Sequence, residues 1–360
     1  MDRQTAEHAL KVLWEHLGSL RPLLDDVTVH EVMINSPRDI WVESLGVMKP
    51  VEIRLEDEQV DAVIRILASL NEKSDQGKVS QILDCRLPGL RIAAARFPIA
   101  MRGHSMCIRK HSARKLGIPD YLASGAFDTV EFDRTPGGTR MPPDIAAHLH
   151  EGGQALADFL TWVTQARKPL LISGATSSGK TTLIGALLDL VQPEDRAVII
   201  EDTGELSELE FNLPNRVHFE SNEKQGVSIR DLVRLALRYR PTRIIIGEIR
   251  GAEAYDMLNA YGTGHPGNCS IHADSAAQAP ISLENKIRMA PESRELPLQA
   301  LRAQIVQTFP YVIHAANVVG VYPPRAPIEI VELLGVDPAT GGYLTKQIYS
   351  RFIQPKPTGG

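Results

Sequence analysis

The sequence predicts an α/β protein in two parts: a C-terminal part built on a parallel sheet with helices on its faces, and a smaller α+β N-terminal part. Three observations predict it. Beyond residue 150, apolar runs at 169–173, 197–200 and 243–246 alternate with helical patterns at 181–191 and 229–239, the rhythm that brings successive strands back parallel. Before residue 132, short strand-like runs surround one segment of helical period. Between the two, residues 132–143 carry three prolines and two adjacent glycines, a linker composition. The expected division is an N-terminal domain over 1–132, a Pro/Gly-containing linker over 133–150, an α/β domain over 151–354 and a flexible tail over 355–360.

Taken in order, Leu10, Leu13, Trp14 and Leu17 follow the i, i+3, i+4, i+7 pattern of an amphipathic helix. Its polar face mixes Glu7, His8, Lys11, Glu15 and His16 and lacks the Lys/Arg enrichment of a helix held on anionic lipid, so the apolar face is expected to pack on its own domain. Val27 to Ile34 and Asp39 to Val42 read as strands separated by a turn at Asn35-Ser36-Pro37. Glu56 to Leu70 repeats apolar residues at 60, 63, 64, 67 and 70, a helix. Leu90 to Ile108 reads as strand segments broken around Met101-Arg102-Gly103-His104. In the C-terminal part, Ser228 and Asp231 open a helix in the S-x-x-D spacing of a capping box.

The bulk numbers narrow the function. Hydrophobic residues make up 43% and charged residues 23%, as in an ordinary globular protein, and the formal net charge of −5 argues against a surface built for nucleic acid. No direct sequence-specific nucleic-acid binding is expected. The N-terminus has no basic stretch followed by an apolar core, and no run approaches the ~18 apolar residues of a transmembrane helix. Three cysteines, Cys85, Cys107 and Cys269, form no C-x-x-C pair, which fits a reducing cytoplasm and provides no zinc module.

The motif that carries most weight is G-x-x-x-x-G-K-T from Gly174 to Thr181, delivered by the apolar run Leu170-Leu-Ile and followed by the helical Leu183-Ile-Gly-Ala-Leu-Leu188. Such a loop binds phosphate through the backbone N–H groups of Thr176, Ser177, Ser178, Gly179, Lys180, Thr181 and Thr182 at a helix start. Glycine at 174 and 179 permits the close backbone approach. Lys180 reaches the β- and γ-phosphates, and the Thr181 hydroxyl ligates Mg²⁺. A nucleoside triphosphate, ATP with Mg²⁺, is the expected ligand.

Two predicted strands end in acid, where an open parallel sheet binds ligands: Ala197-Val-Ile-Ile200 runs into Glu201-Asp202, and Arg243-Ile-Ile-Ile246 into Gly247-Glu248. Many proteins with this loop carry Asp directly after the second strand; here that position is Gly247. The displacement argues against a strand-end Asp that holds the metal and favours Glu248 as the group that orients or deprotonates water; any hold of Glu248 on Mg²⁺ is expected through water. Glu201 is the alternative base. Histidines 265 and 272 stand seven residues apart in Gly262-Thr-Gly-His-Pro-Gly267 and Ser270-Ile-His-Ala-Asp274. Without Cys or carboxylate companions at ligand spacing they suit donation to a γ-phosphate oxygen better than zinc binding. Arg91, Arg102 and Arg109 cluster in the N-terminal part, with Arg102 before a glycine that can present it outward; Arg234, Arg238, Arg240, Arg243 and Arg250 surround the second acidic strand.

Jointly these blocks resemble the secretion traffic ATPases, the type II/IV secretion ATPase family, and within it the TrbB-like ATPases of conjugative transfer and type IV secretion. The phosphate loop, the acidic box Ile200-Glu-Asp-Thr-Gly-Glu-Leu206, the strand Ile244-Ile-Ile-Gly-Glu-Ile-Arg250 and the histidine box over 262–273 stand in the family order. Leu235-Ala-Leu-Arg-Tyr-Arg-Pro241 and His30-Glu-Val-Met-Ile-Asn35 add to the likeness. Thr242 departs from the Asp frequent after that proline. The resemblance implies a RecA-like C-terminal domain and a hexameric ring with nucleotide between the two domains. It maps Lys180 and Thr181 to phosphate and Mg²⁺, and Glu248 to the catalytic glutamate. Glu201 maps to the acidic box, His265 and His272 to the histidine box, and Arg102, Arg109 and Arg91 to phosphate contacts. It implies hydrolysis of ATP to ADP and phosphate that powers pilus biogenesis or substrate export through N-terminal domain motion. The ring would sit in the cytoplasm, peripheral to the inner membrane, against the secretion or conjugation machinery. Two alternatives stand beside it: a type IV pilus assembly or retraction ATPase, and a nucleotide-gated docking module without motor work.

Overall fold

The computed structural model describes residues 3–70, 81–110, 118–123 and 141–352, and the chain divides into two compact units, residues 1–138 and 139–360. In the first unit, helices α1 (Arg3–Leu17) and α2 (Arg21–Asp25) precede strands β1 (Val29–Ser36), β2 (Asp39–Ser44) and β3 (Val47–Val51). Helix α3 (Asp57–Leu70) leads to β4 (Ile82–Leu87), β5 (Leu90–Ala95) and β6 (Ser105–Lys110), and the short α4 (Ile118–Ala123) follows. The strands form an antiparallel sheet in the order β3-β2-β1-β6-β5-β4. The apolar stripe read from the sequence lies on the core side of α1: Leu13 and Leu17 are fully buried and Leu10 and Trp14 pack beside them, against Val60, Ile64 and Leu67 of α3 and Ile34, Ile92 and Ile108 of the sheet. Each fully buried leucine contributes roughly 2 kcal/mol of transfer free energy, which holds this helix to its own domain.

The second unit opens with α5 (Pro143–His148) and α6 (Gly153–Gln165). The half of the proposed linker over 143–150 is therefore helical, with Leu149 in the core; 133–140 lies outside the described residues, as do the last residues of the tail. There follow β7 (Leu170–Ser173), α7 (Lys180–Leu188), β8 (Ala197–Glu201), β9 (Arg216–Glu220) and α8 (Ile229–Ala236). Next come β10 (Arg243–Ile249), α9 (Glu253–Gly262), β11 (Asn268–Ile271), α10 (Ala279–Ile287) and α11 (Leu298–Thr308), and last β12 (Tyr311–Asn317), β13 (Arg325–Val336) and β14 (Tyr343–Ser350). The sheet order is β14-β13-β12-β7-β11-β10-β8-β9. From β12 to β9 all pairs are parallel, while β13 and β14 extend it antiparallel. The expected parallel α/β unit is present, with an antiparallel flank that the strand pattern did not announce. Fully buried runs such as Ile199-Ile200 and Ile244-Ile245-Ile246 are what a sheet covered on both faces requires.

The threonine that departs from the family pattern is absorbed locally. Thr242 Oγ1 accepts from Arg196 N (2.7 Å) and donates to Arg196 O (3.0 Å), while Arg243 donates to Asp195 (2.7 Å) and Thr164 O (2.8 Å). No helix among the described residues is long and apolar enough to cross a membrane.

Candidate functional site

The carboxyl ends of β7, β8, β10 and β11 meet at one rim of the second unit's sheet, where they line a cleft of about 380 Å³. That volume lies near the lower end of the ~300–1,000 Å³ usual for small-molecule sites. Its floor is the loop 174–179. Gly174 has φ +154°, and a Cβ there would meet Ala315 O of β12 at 2.2 Å, so strand backbone backs the loop directly and no side chain fits. Gly179 (φ +97°) caps α7 without a side-chain bond, which leaves the first-turn N–H groups of Lys180, Thr181 and Thr182 facing the cleft. Lys180 Nζ lies over the loop, donating to Gly174 O (3.0 Å) and Ala175 O (2.9 Å). Burial pushes its pKa down, while Glu248 and Glu205 pull it up. Ser178 Oγ is buried and has no hydrogen-bond partner among the described residues.

The two acids behave differently. Glu201 at the end of β8 is 3% exposed and accepts from Leu206 N (2.7 Å) and Ser207 N (3.2 Å), so both oxygens are used to shape the loop that follows. Burial pushes its carboxyl up to about 7 against the pull of those N–H donors. Glu248, on β10, faces the cleft between an imidazole and a guanidinium: His272 Nε2 lies 2.6 Å from Oε1, and Arg250 Nε donates to Oε2 at 2.6 Å. Arg250 also pairs with Asp202, closing a chain of four side chains across the rim. Hydrogen bonding to Glu248 raises the guanidinium's pKa despite partial burial. The odd position of the acid has a steric reason. A Cβ at Gly247 would stand 3.2 Å from Glu201 Cγ, so a side chain at the usual Asp position would press on the buried Glu201.

Most of the residues read from the sequence come together here: Thr176 to Thr182, Glu201, Glu248 and His272 all line the cleft. His265 does not. It precedes β11 while His272 follows it, and seven residues of near-extended chain put roughly 20 Å between them, at opposite ends of the strand. Of the two histidines, His272 lines the cleft of its own chain and His265 does not. The three N-terminal arginines lie in the first unit, each on a carboxylate of its own domain: Arg91 donates to Asp84 (2.9 and 3.1 Å), Arg109 pairs with Glu31, and Arg102 stands 3.7 Å from Asp39. Burial lowers the pKa of Arg109, but the Glu31 charge and hydrogen bond more than reverse this. The sequence reading missed Asp202, Glu205 and Arg325 as cleft residues. Asp202 stood in the quoted acidic box; Arg325 follows an irregular proline stretch and carried no signal.

The donor set fits a magnesium nucleotide. The Thr181 hydroxyl and the Glu248, Asp202 and Glu205 carboxylates are hard oxygens, and a buried unpartnered hydroxyl sits beside a helix start. Among the described residues no group of three or more His, Cys, Asp or Glu side chains is arranged to hold a metal by itself. Four carboxylates face three cations in the cleft, so its own side chains are net acidic.

Comparison with known proteins agrees with this geometry. The family described as "Type II/IV secretion system protein" matches residues 146–309. Type IV secretion system protein VirB11 of Brucella suis is 32% identical over 312 residues, covering 84% of this chain and 85% of that protein. A putative conjugal transfer protein of Mycobacterium tuberculosis is 30% identical over 323 residues, covering 86% and 83%. The crystal structure of the VirB11 ATPase from the Brucella suis type IV secretion system, in complex with sulphate, superposes with a TM-score of 0.80 at 28% identity, over 91% of this chain and 96% of that one.

Proposed function

The chain belongs to the type II/IV secretion ATPase family, and from that premise we propose that it is a ring-forming, Mg²⁺-dependent ATPase. It hydrolyses ATP to ADP and phosphate to power type IV secretion or conjugative transfer, as a RecA-like engine at the cytoplasmic face of the inner membrane. The observation that carries the reading is the meeting, in one cleft, of the phosphate loop after β7 and the glutamate of β10. The loop N–H groups and Lys180 hold the phosphates; Lys180 exchanges its two loop carbonyls for phosphate oxygens. Thr181, with Glu248 through water, would hold Mg²⁺, which neutralises phosphate charge. Glu248 orients the attacking water and accepts its proton, because its carboxylate faces the cleft whereas Glu201 is tied to backbone. The resemblance assigns Arg102, Arg109 and Arg91 to phosphate contacts, a role that requires each to part from the carboxylate it holds in the first unit. Loss of those contacts on hydrolysis releases the N-terminal domain.

A second reading has one observation in its favour. Both oxygens of Glu248 are engaged, by His272 and by Arg250, and a base held this way is idle until Arg250 lets go. A chain that hydrolyses slowly until a partner of the secretion machinery binds would use this hold as its brake, approaching a nucleotide-gated docking module.

The test is Mg-dependent hydrolysis by purified wild type, Lys180→Ala and Glu248→Gln. Expected are loss of nucleotide binding with the first, and tight ATP binding with turnover down at least about a hundredfold with the second. Normal turnover by either variant would sink the assignment.

A further inference from the structure

Of the three cations in the cleft, two are engaged on its own atoms: Lys180 on the loop carbonyls, and Arg250 on Glu248 and Asp202. The third, Arg325, has no ion pair or hydrogen bond among the described residues, yet it lines the same cleft. Its position is fixed by backbone. Arg325 is the first residue of β13 and pairs with Asn317 of β12, the strand whose Ala315 O backs Gly174. A Cβ on Gly179 would lie 3.6 Å from the Arg325 Cβ, so the arginine stem stands beside the residue that caps α7.

The sheet order gives this arginine a side. β12 flanks β7 on one edge; β11, β10 and β8, which bring His272, Glu248 and Glu201, lie on the other. The water-activating group must stand next to the terminal phosphate, and so the γ-phosphate points toward β10. Arg325 comes from the opposite flank, the side on which the remainder of a nucleotide so oriented would lie.

We propose that Arg325 is a nucleotide-binding residue that pairs with the phosphates common to ATP and ADP and leaves the transferred γ-phosphate to Lys180 and the β10 side. It is a ground-state binding group: a charge that contacts both nucleotides equally sets affinity and contributes little to the chemical step. The inference rests on the ATPase reading above and adds to it which residue retains the product.

The experiment compares Kd for ATP and for ADP, by calorimetry in Mg²⁺, with steady-state kinetics, for wild type, Arg325→Ala, Arg325→Lys and Lys180→Ala. Thermal melts check folding, and Arg325→Gln serves if the alanine variant is unstable. Expected for Arg325→Ala is about a tenfold weakening of both nucleotides, near 1.4 kcal/mol. KM should rise in step while kcat changes less than about twofold, with partial recovery in Arg325→Lys. Unchanged ADP affinity overturns the proposal, as does weakening confined to ATP, which would put the arginine on the γ-phosphate. The two levels separate cleanly. Wild type that binds neither nucleotide ends the ATPase reading and this inference with it, whereas wild-type binding lost in Lys180→Ala but untouched in the Arg325 variants ends this inference alone.

Discussion

Glu201 and Glu248 end neighbouring strands of one sheet, and what separates them is the company each carboxylate keeps. Burial raises the Glu201 pKa to about 7, so between its unfolded value and 7 the folded state binds more protons than the unfolded one. Stability therefore falls as pH rises through that window, by at most about 1.4 kcal/mol per pH unit. Glu201→Gln should flatten this slope in denaturant titrations run from pH 5 to 7.5; an unchanged slope would mean that Glu201 is ionised throughout. The sequence left the two acids as rivals for one role because each stands within two residues of the end of an apolar run. The difference arises from Leu206 and Ser207 N–H groups folding back onto one of them, a closure that residue types do not encode. For the histidines, the spacing in sequence was legible, but four residues of strand between them place one beyond each end of β11. Gly247, by contrast, was a readable departure whose cause, the packed Glu201 side chain, needed coordinates.

At the scale of elements, helices were read from periodicity and caps. Asp231 N donates to Ser228 Oγ (3.2 Å) and Ser228 N to Asp231 Oδ2 (3.0 Å), the reciprocal pair expected from S-x-x-D. Ser228→Ala should cost about 1 kcal/mol, seen as a lowered urea midpoint with unchanged slope. Strands were read where they were wholly apolar or cleanly alternating, and missed at edges. β3 is mostly exposed and carries Pro50, tolerable because an edge strand needs only one set of ladder bonds. β13 and β14 carry polar and half-buried residues along most of their length, so neither periodicity stands out. β7, β8 and β10 could be found because each carries an unbroken apolar run, whereas β11, equally buried between β7 and β10, reads Asn-Cys-Ser-Ile and was missed.

For the whole molecule, the proposed ring makes a simple prediction: the mass in solution should correspond to six chains in Mg-ATP, by light scattering. A monomer under all conditions would refute the ring while leaving the cleft's chemistry intact. The change in pattern and the Pro/Gly stretch led to an expected linker over 133–150; the chain divides into units 1–138 and 139–360, and the stretch ends in a helix that belongs to the second unit. One contact has a reach beyond its neighbourhood. The segment that matches the family stops at residue 309, two positions before β12 begins. The phosphate loop, the acidic box, the β10 glutamate and the histidine box all lie inside that segment, but the carbonyl against Gly174 and the arginine stem beside Gly179 lie outside it. A chain trimmed to the matching span would keep those four blocks and lose one wall of the phosphate loop. It would turn β7 into an open sheet edge and remove Tyr311, whose ring packs edge-on against Phe159 at 5.3 Å. The boundary of what is recognisable in this chain is therefore not the boundary of what can work.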